Sequence, residues 1–330
     1  MFSDKELQQL VKAEIVSEEQ AKKILNFKPK EEGRHLSFAN TMYYLGGFII
    51  VFAISYFLGT NWEELGDFGR IVWTIAMMVI FGGSGLYLRG KKYKIAGALL
   101  LLAAVASAPL FIHSVERAIN LWPTATLYAG ELSYENFLER INTAWVVLDV
   151  LSLIVASLAF YKFREPILSL PVAHFFWFLT VDAPGMITKI ENHTKSWITV
   201  AAGLVLVLWG VYYNRKKDTQ FGVWPWMYGL TLLLGGLISL RWDAEPNVKI
   251  FYQLLVLAYG MVALFAATPL KSKTFLVFGA IGTFWFIEDI AWTYFAKSLG
   301  FSLALAVSGF LTIGFGMLIQ DYYKKQFSKR

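Results

Sequence analysis

The chain contains no cysteine. That excludes disulfides, thiolate metal centres and a cysteine nucleophile, and leaves the redox compartment open. Charge is scarce: Asp, Glu, Lys and Arg make up 16% of the 330 residues, against about 25% in a soluble domain. Recognisable chemical motifs are missing as well. There is no serine-nucleophile motif and no dinucleotide fingerprint. Gly82-Gly83-Ser84-Gly85 lies inside an apolar run and lacks the Lys-Ser/Thr pair of a phosphate loop. Glu288, Asp289 and His174 resemble metal ligands in type, but no H-x-x-x-H or E-x-x-H spacing among them supports a metal site. The sequence therefore offers no catalytic residue, no metal site and no cofactor. The first residues are charged and amphipathic rather than basic and then apolar, so no signal peptide is expected.

Apolar side chains fill the space that charge leaves. They make up 56% of the chain, aromatics alone 17%, and mean hydropathy is +0.50. The stretch from Tyr43 to Arg70 sets the plan: an apolar run of spanning length, then the polar aromatic turn Asn61-Trp62-Glu63-Glu64, then another apolar run. Repetition of this plan predicts an all-α, polytopic helical membrane protein. About ten spans of bilayer length are expected, near 41–59, 70–89, 94–112, 141–161, 166–184, 197–213, 223–240, 248–267, 274–296 and 301–320. The transmembrane domain would cover 35–320, with five plus five spans as one division and inverted repeats as its consequence. A basic tail, 321–330, follows.

Residues 1–34 read as a small helical hairpin. Ser3-Asp4-Lys5-Glu6 and Ser17-Glu18-Glu19-Gln20 are capping-box patterns, and Pro29 ends the second helix. So short a segment builds no core of its own. It should dock on the membrane domain, self-associate or recruit a protein partner. The basic residues alternate between loops. About 22 of the 30 Lys and Arg fall in one set: the hairpin, the loops near Arg89, Lys162, Arg215 and Lys271, and the tail. The positive-inside rule places that set, and both termini, in the cytoplasm. Net charge is +6; it reads as a topology signal and not as a nucleic-acid surface. One long external loop, about 113–140, is expected to hold His113, Glu116, Arg117 and Trp122, either as a connector or as a lid.

The N-terminal residues resemble a known family. Leu10-Val11-Lys12-Ala13-Glu14-Ile15-Val16-Ser17-Glu18-Glu19-Gln20-Ala21, then Leu45-Gly46-Gly47, then Asn61-Trp62-Glu63-Glu64-Leu65 are similar to the bacterial "predicted membrane proteins" of domain of unknown function 2157. Glu14 stands where that family usually has Gly, and Gly66 where it usually has Pro. The resemblance covers residues 1 to about 90. It implies a bacterial inner-membrane location and carries no activity.

Ionisable groups inside a bilayer are costly, so they are the places to look for function. Asp149 lies about 12 Å from the external side at 1.5 Å per residue, with Trp145, Leu148 and Ser152 at helical spacing. It reads either as a proton or cation site or as an interhelical hydrogen bond. His174 follows Pro171 by three residues and reads as a partner for a carbonyl freed by that proline, or as a proton relay. Asp182 lies near the external end of its span. Glu288 and Asp289 are adjacent, hence about 100° apart on a helix; one would face a cavity while the other meets Arg241 or the interface. Asn61 is expected to cap the short helix that follows, and Trp62 to anchor at the interface. These groups gather in the external half. Three classes of function remain open: a transporter or translocase of a small solute or lipid through an externally open polar cavity, a non-catalytic sensor or scaffold recruiting a partner through the hairpin, and an enzyme on a lipid-linked substrate. Membrane lipids are expected partners, beside a protein partner or a second copy met through residues 1–34, and no nucleic acid is expected.

Overall fold

A computed structural model describes residues 13, 16–18, 20, 38–62, 64–91, 93–119, 121–122, 143–186, 190–216, 219–295, 306 and 309–310. Residues 1–50 and 51–330 form two compact units. Among the described residues there is no strand. In the first unit the second capping box is in place: Ser17 Oγ accepts from Gln20 N at 3.2 Å, and Gln20 Oε1 accepts from Ser17 N at 2.9 Å. Apart from residues 13, 16, 306, 309 and 310, the rest of the hairpin expected at 1–34, the tenth span at 301–320 and the tail lie outside the described residues.

Helix α1 covers Phe38–Asn61. Then come α2, Gly66–Gly90, α3, Lys94–Ala106, and α4, Ala108–Ala118. A second group follows: α5, Thr143–Phe163, and α6, Ser169–Asp182, with a 3-10 turn before and after it. The last four are α7, Asn192–Arg215, α8, Thr219–Trp242, α9, Lys249–Leu270, and α10, Lys273–Phe295. Seven helices among the described residues are long and apolar enough to cross a membrane: α2, α3 with α4, α5, α7, α8, α9 and α10. The helix at Pro166–Asp182 is apolar but shorter, as is the Leu45–Ile54 portion of α1. Their outward faces carry large apolar side chains such as Val79, Leu158, Val262 and Phe265. Such a surface suits lipid and would drive association in water. This is a helical membrane protein with several spans.

From α2 onward the helices pack as hairpins, α2 with α3 and α4, α5 with α6, α7 with α8, and α9 with α10. Their tight turns carry Lys91, Arg164, Lys216 and Lys271. Arg164 and Lys271 reverse the chain in left-handed conformation, with φ of 49° and 50°. After Lys271, Ser272 N donates to Ala267 O and Lys271 N to Thr268 O, a Schellman closure. At the same end, Arg89 Nε meets Glu165 Oε1 at 2.8 Å and Arg89 Nη2 donates to Phe163 O at 2.8 Å. One apolar core joins α7 to α10 around Trp226, Leu240, Val256 and Phe275. A second joins α3, α5 and α6 around Leu101, Ala156 and Phe175. Ala173, Leu206 and Leu232 tie α6 to α7 and α8 between them.

Two breaks differ from simple spans. The third run is one span in two pieces. Ser107 interrupts it, with Ser107 Oγ donating to Ala103 O at 2.9 Å and Pro109 beginning α4. Pro171 does not break a helix, because it is the third residue of α6. A helix has no intrahelical acceptor for that N–H, so no carbonyl is freed for His174.

Candidate functional site

The long loop expected from 113 begins as helix. His113, Glu116 and Arg117 all lie on α4, and residues 123–142 lie outside the described residues. After α4 the chain folds back, with Leu121 N and Trp122 N donating to Glu116 O at 2.8 and 3.1 Å. The Trp122 ring then packs edge-on to His113 at 4.2 Å and against Trp145 at 4.9 Å. Glu116 is thereby carried inside and is 3% exposed. Sequence reading had put it on a surface loop. The apolar spacing of Ile112, Val115 and Ile119 was the available signal that the helix runs on.

Glu116 meets two other buried acids. Asp149, on α5, and Asp182, which closes α6, are also nearly inaccessible. Their carboxyls lie close enough to interact directly, and the Glu116 carboxyl lies near enough to act electrostatically on Asp149. Ionised carboxylates only accept hydrogen bonds and repel each other, so a proton shared between two such neighbours relieves the pair. Lys195, from the first turn of α7, acts on the group through Asp182. Among the described residues, neither Glu116 carboxyl oxygen, nor Asp149 Oδ2, nor Ser152 Oγ has a hydrogen-bond partner. Ser152 follows Asp149 by three residues and shares its helix face. Three elements, α4, α5 and α6, thus bring three acids and one hydroxyl to one buried place with several acceptors unused. Among the described residues no three His, Asp or Glu side chains are arranged to hold a metal ion. What the group can do chemically is take up and release protons.

The remaining candidates are satisfied locally. His174 Nδ1 is 2.6 Å from Tyr228 Oη, and the imidazole packs edge-on to Phe178 and Tyr228. Asp289 Oδ2 accepts from Arg241 Nε at 2.9 Å and from Gln253 Nε2 at 2.8 Å. Glu288, its neighbour, is exposed, as their angular separation requires. Arg241 lies within α8 and is buried, not beyond the end of a span. Asn61 is not a cap: it ends α1, its amide donates to Thr60 Oγ1, and α2 starts only at Gly66. Trp62 is held by Arg70, whose Nε donates to Trp62 O at 2.8 Å while its guanidinium carbon lies 5.5 Å from the Trp62 ring centre.

Comparison with known families decides one expectation. Residues 8–114 match the family of predicted membrane proteins DUF2157. It is the family that the Asn61-Trp62 turn and the residues before it resemble. Within the DUF2157 stretch, Gly66 adopts φ of 61°. Proline cannot reach that conformation, so this turn needs the glycine. The matched stretch stops short of Glu116, Asp149 and Asp182. No curated protein and no solved structure matches the chain.

Proposed function

We propose that this protein is a proton-coupled transporter of a small solute or lipid. It crosses the bacterial inner membrane about ten times, with both termini in the cytoplasm. The basic hairpin turns at one end support that orientation. The carrying observation is the contrast between two buried acid sites. Asp289 has a guanidinium and an amide on its carboxylate, which is how a structural acid is satisfied. Glu116, Asp149 and Asp182 gather together, and both Glu116 oxygens and Asp149 Oδ2 stay unused among the described residues. An unsatisfied buried carboxyl costs stability without giving any in return, and proton relays in membrane proteins are built of such groups.

The absence of cysteine makes the test direct. Asp149→Cys and Asp182→Cys, made singly, are expected to react with a membrane-impermeant thiol reagent added outside intact cells. Ala156→Cys, in the apolar core, stays silent. In parallel, purified protein should take up protons on acidification, with less uptake in Asp149→Asn and Glu116→Gln. Silence at both 149 and 182, with proton uptake unchanged by the amide variants, would sink the reading. A second reading is recruitment of a partner through residues 1–34. It is favoured by the family match, which begins at residue 8 and ends before the three acids. Under it, removing residues 1–34 abolishes function while the amide variants keep it.

A further inference from the structure

The same end of the molecule has a second polar place, independent of the acid group. A cavity of about 590 Å³ opens between the last turns of α8 and α10 and the start of α9. Arg241, Lys249 and Asp289 supply its charges, and Trp242, Trp292 and Tyr294 its aromatic surface. All three rings are exposed over more than half their area. Exposed indoles and phenols at the ends of spanning helices belong at the boundary between bilayer and water. The volume lies within the usual range of ligand pockets, about 300–1,000 Å³.

The charged wall is held by hydrogen bonds. Buried Arg241 donates through Nε to Asp289 and through Nη2 to Thr293 Oγ1 at 2.9 Å. The Gln253 amide donates to the same Asp289 oxygen, Oδ2. Asp289 Oδ1 receives neither bond. Lys249, the first residue of α9, is half-buried, and its ammonium has no ion-pair partner among the described residues. A purely anionic ligand would meet Asp289. A purely cationic one would meet Arg241 and Lys249. A ligand carrying both signs meets complementary charge at each end.

We propose that this cavity binds a headgroup containing a phosphate and an ammonium, as in an ethanolamine phospholipid. The phosphate sits against Lys249 and the open edge of Arg241 in charge-assisted hydrogen bonds. The ammonium sits against Asp289 Oδ1 and the faces of the aromatic rings. The acyl chains of a lipid so held would run along the apolar outer faces of α9 and α10.

The test uses the full-length protein in detergent. Native mass spectrometry would follow its retention of phosphatidylethanolamine and phosphatidylglycerol offered in equal amounts. The ethanolamine lipid is expected to be retained in preference. Lys249→Gln should weaken that retention about tenfold, the loss of one charge-assisted contact. Trp242→Leu should reduce the preference for ethanolamine over glycerol. Lys216→Gln, at the opposite end, should change nothing. Displacement by excess soluble glycerophosphoethanolamine would assign the site to the headgroup alone; persistence against it would assign the site to a bilayer lipid. Equal retention of both lipids, or a Lys249→Gln protein that retains the ethanolamine lipid as the unaltered protein does, would overturn the proposal.

Discussion

Arg70 shows how much one side chain can hold. It is 1% exposed and sits where α2 leaves the turn after Trp62. Its Nε closes on the Trp62 carbonyl, Nη1 lies 3.2 Å from Asp67 Oδ1, and the Trp62 ring covers the guanidinium. Asp67 is shared with Arg117, 3.5 Å away at the end of α4. A fork of fixed N–H groups makes these contacts together, which a lysine ammonium cannot. Arg70→Leu should lower stability by about 2 kcal/mol, the cost of leaving a buried acceptor without its charged donor. Arg70→Lys should recover less than half of it. Thermal unfolding of the purified protein measures both, and full recovery by lysine would show that charge alone matters at this position.

Between elements, small residues decide how closely helices approach. Gly85 and Gly97 face each other between α2 and α3, Gly203 and Gly229 between α7 and α8, and Gly260 and Gly279 between α9 and α10. A methyl group on Gly229 would stand 2.7 Å from Gly203 O and 2.9 Å from Val207 N. Backbone atoms cannot step aside as a flexible side chain does, so the helices would have to part. With lipid on the outside, such close packing is what holds membrane helices together. Gly229→Ala should therefore destabilise by about 1–3 kcal/mol, the usual range for overpacking. Gly235, on the same helix, has nothing within 4 Å of an added methyl, and Gly235→Ala should stay within about 0.5 kcal/mol. Equal melting shifts for the two variants would contradict the observed approach of α7 and α8.

For the whole molecule, the relevant property is the difference between its ends. Turns near Lys91, Arg164, Lys216 and Lys271 lie at one end of the hairpins. The acid group, the Arg241–Asp289 pair and the His193–Tyr252 contact at 2.9 Å lie towards the other. In the proposed orientation, with the basic turns cytoplasmic, the second end is external. Lys216→Cys should then react with an impermeant reagent only in inverted vesicles, and Asp243→Cys only in intact cells. The reverse pattern would turn the protein over and place the acid group on the cytoplasmic side.

The sequence by itself determined that the chain is a helical membrane protein. Length and apolarity of a run are one-dimensional properties, and a bilayer acts on them directly. Most span limits fell within a few residues of the helices for that reason. The Ser17–Gln20 capping box was equally legible, since its partners lie three residues apart. Tertiary structure alone decided which polar groups meet. Asp289 and Arg241 are 48 positions apart, and the acid group draws on α4, α5 and α6. No local spacing records such pairings, because they depend on which helix faces pack and how closely glycines let them approach. That is why Asp149 and Asp289 looked alike in the sequence. Packing gave Asp289 a guanidinium and an amide, and gave Asp149 another acid.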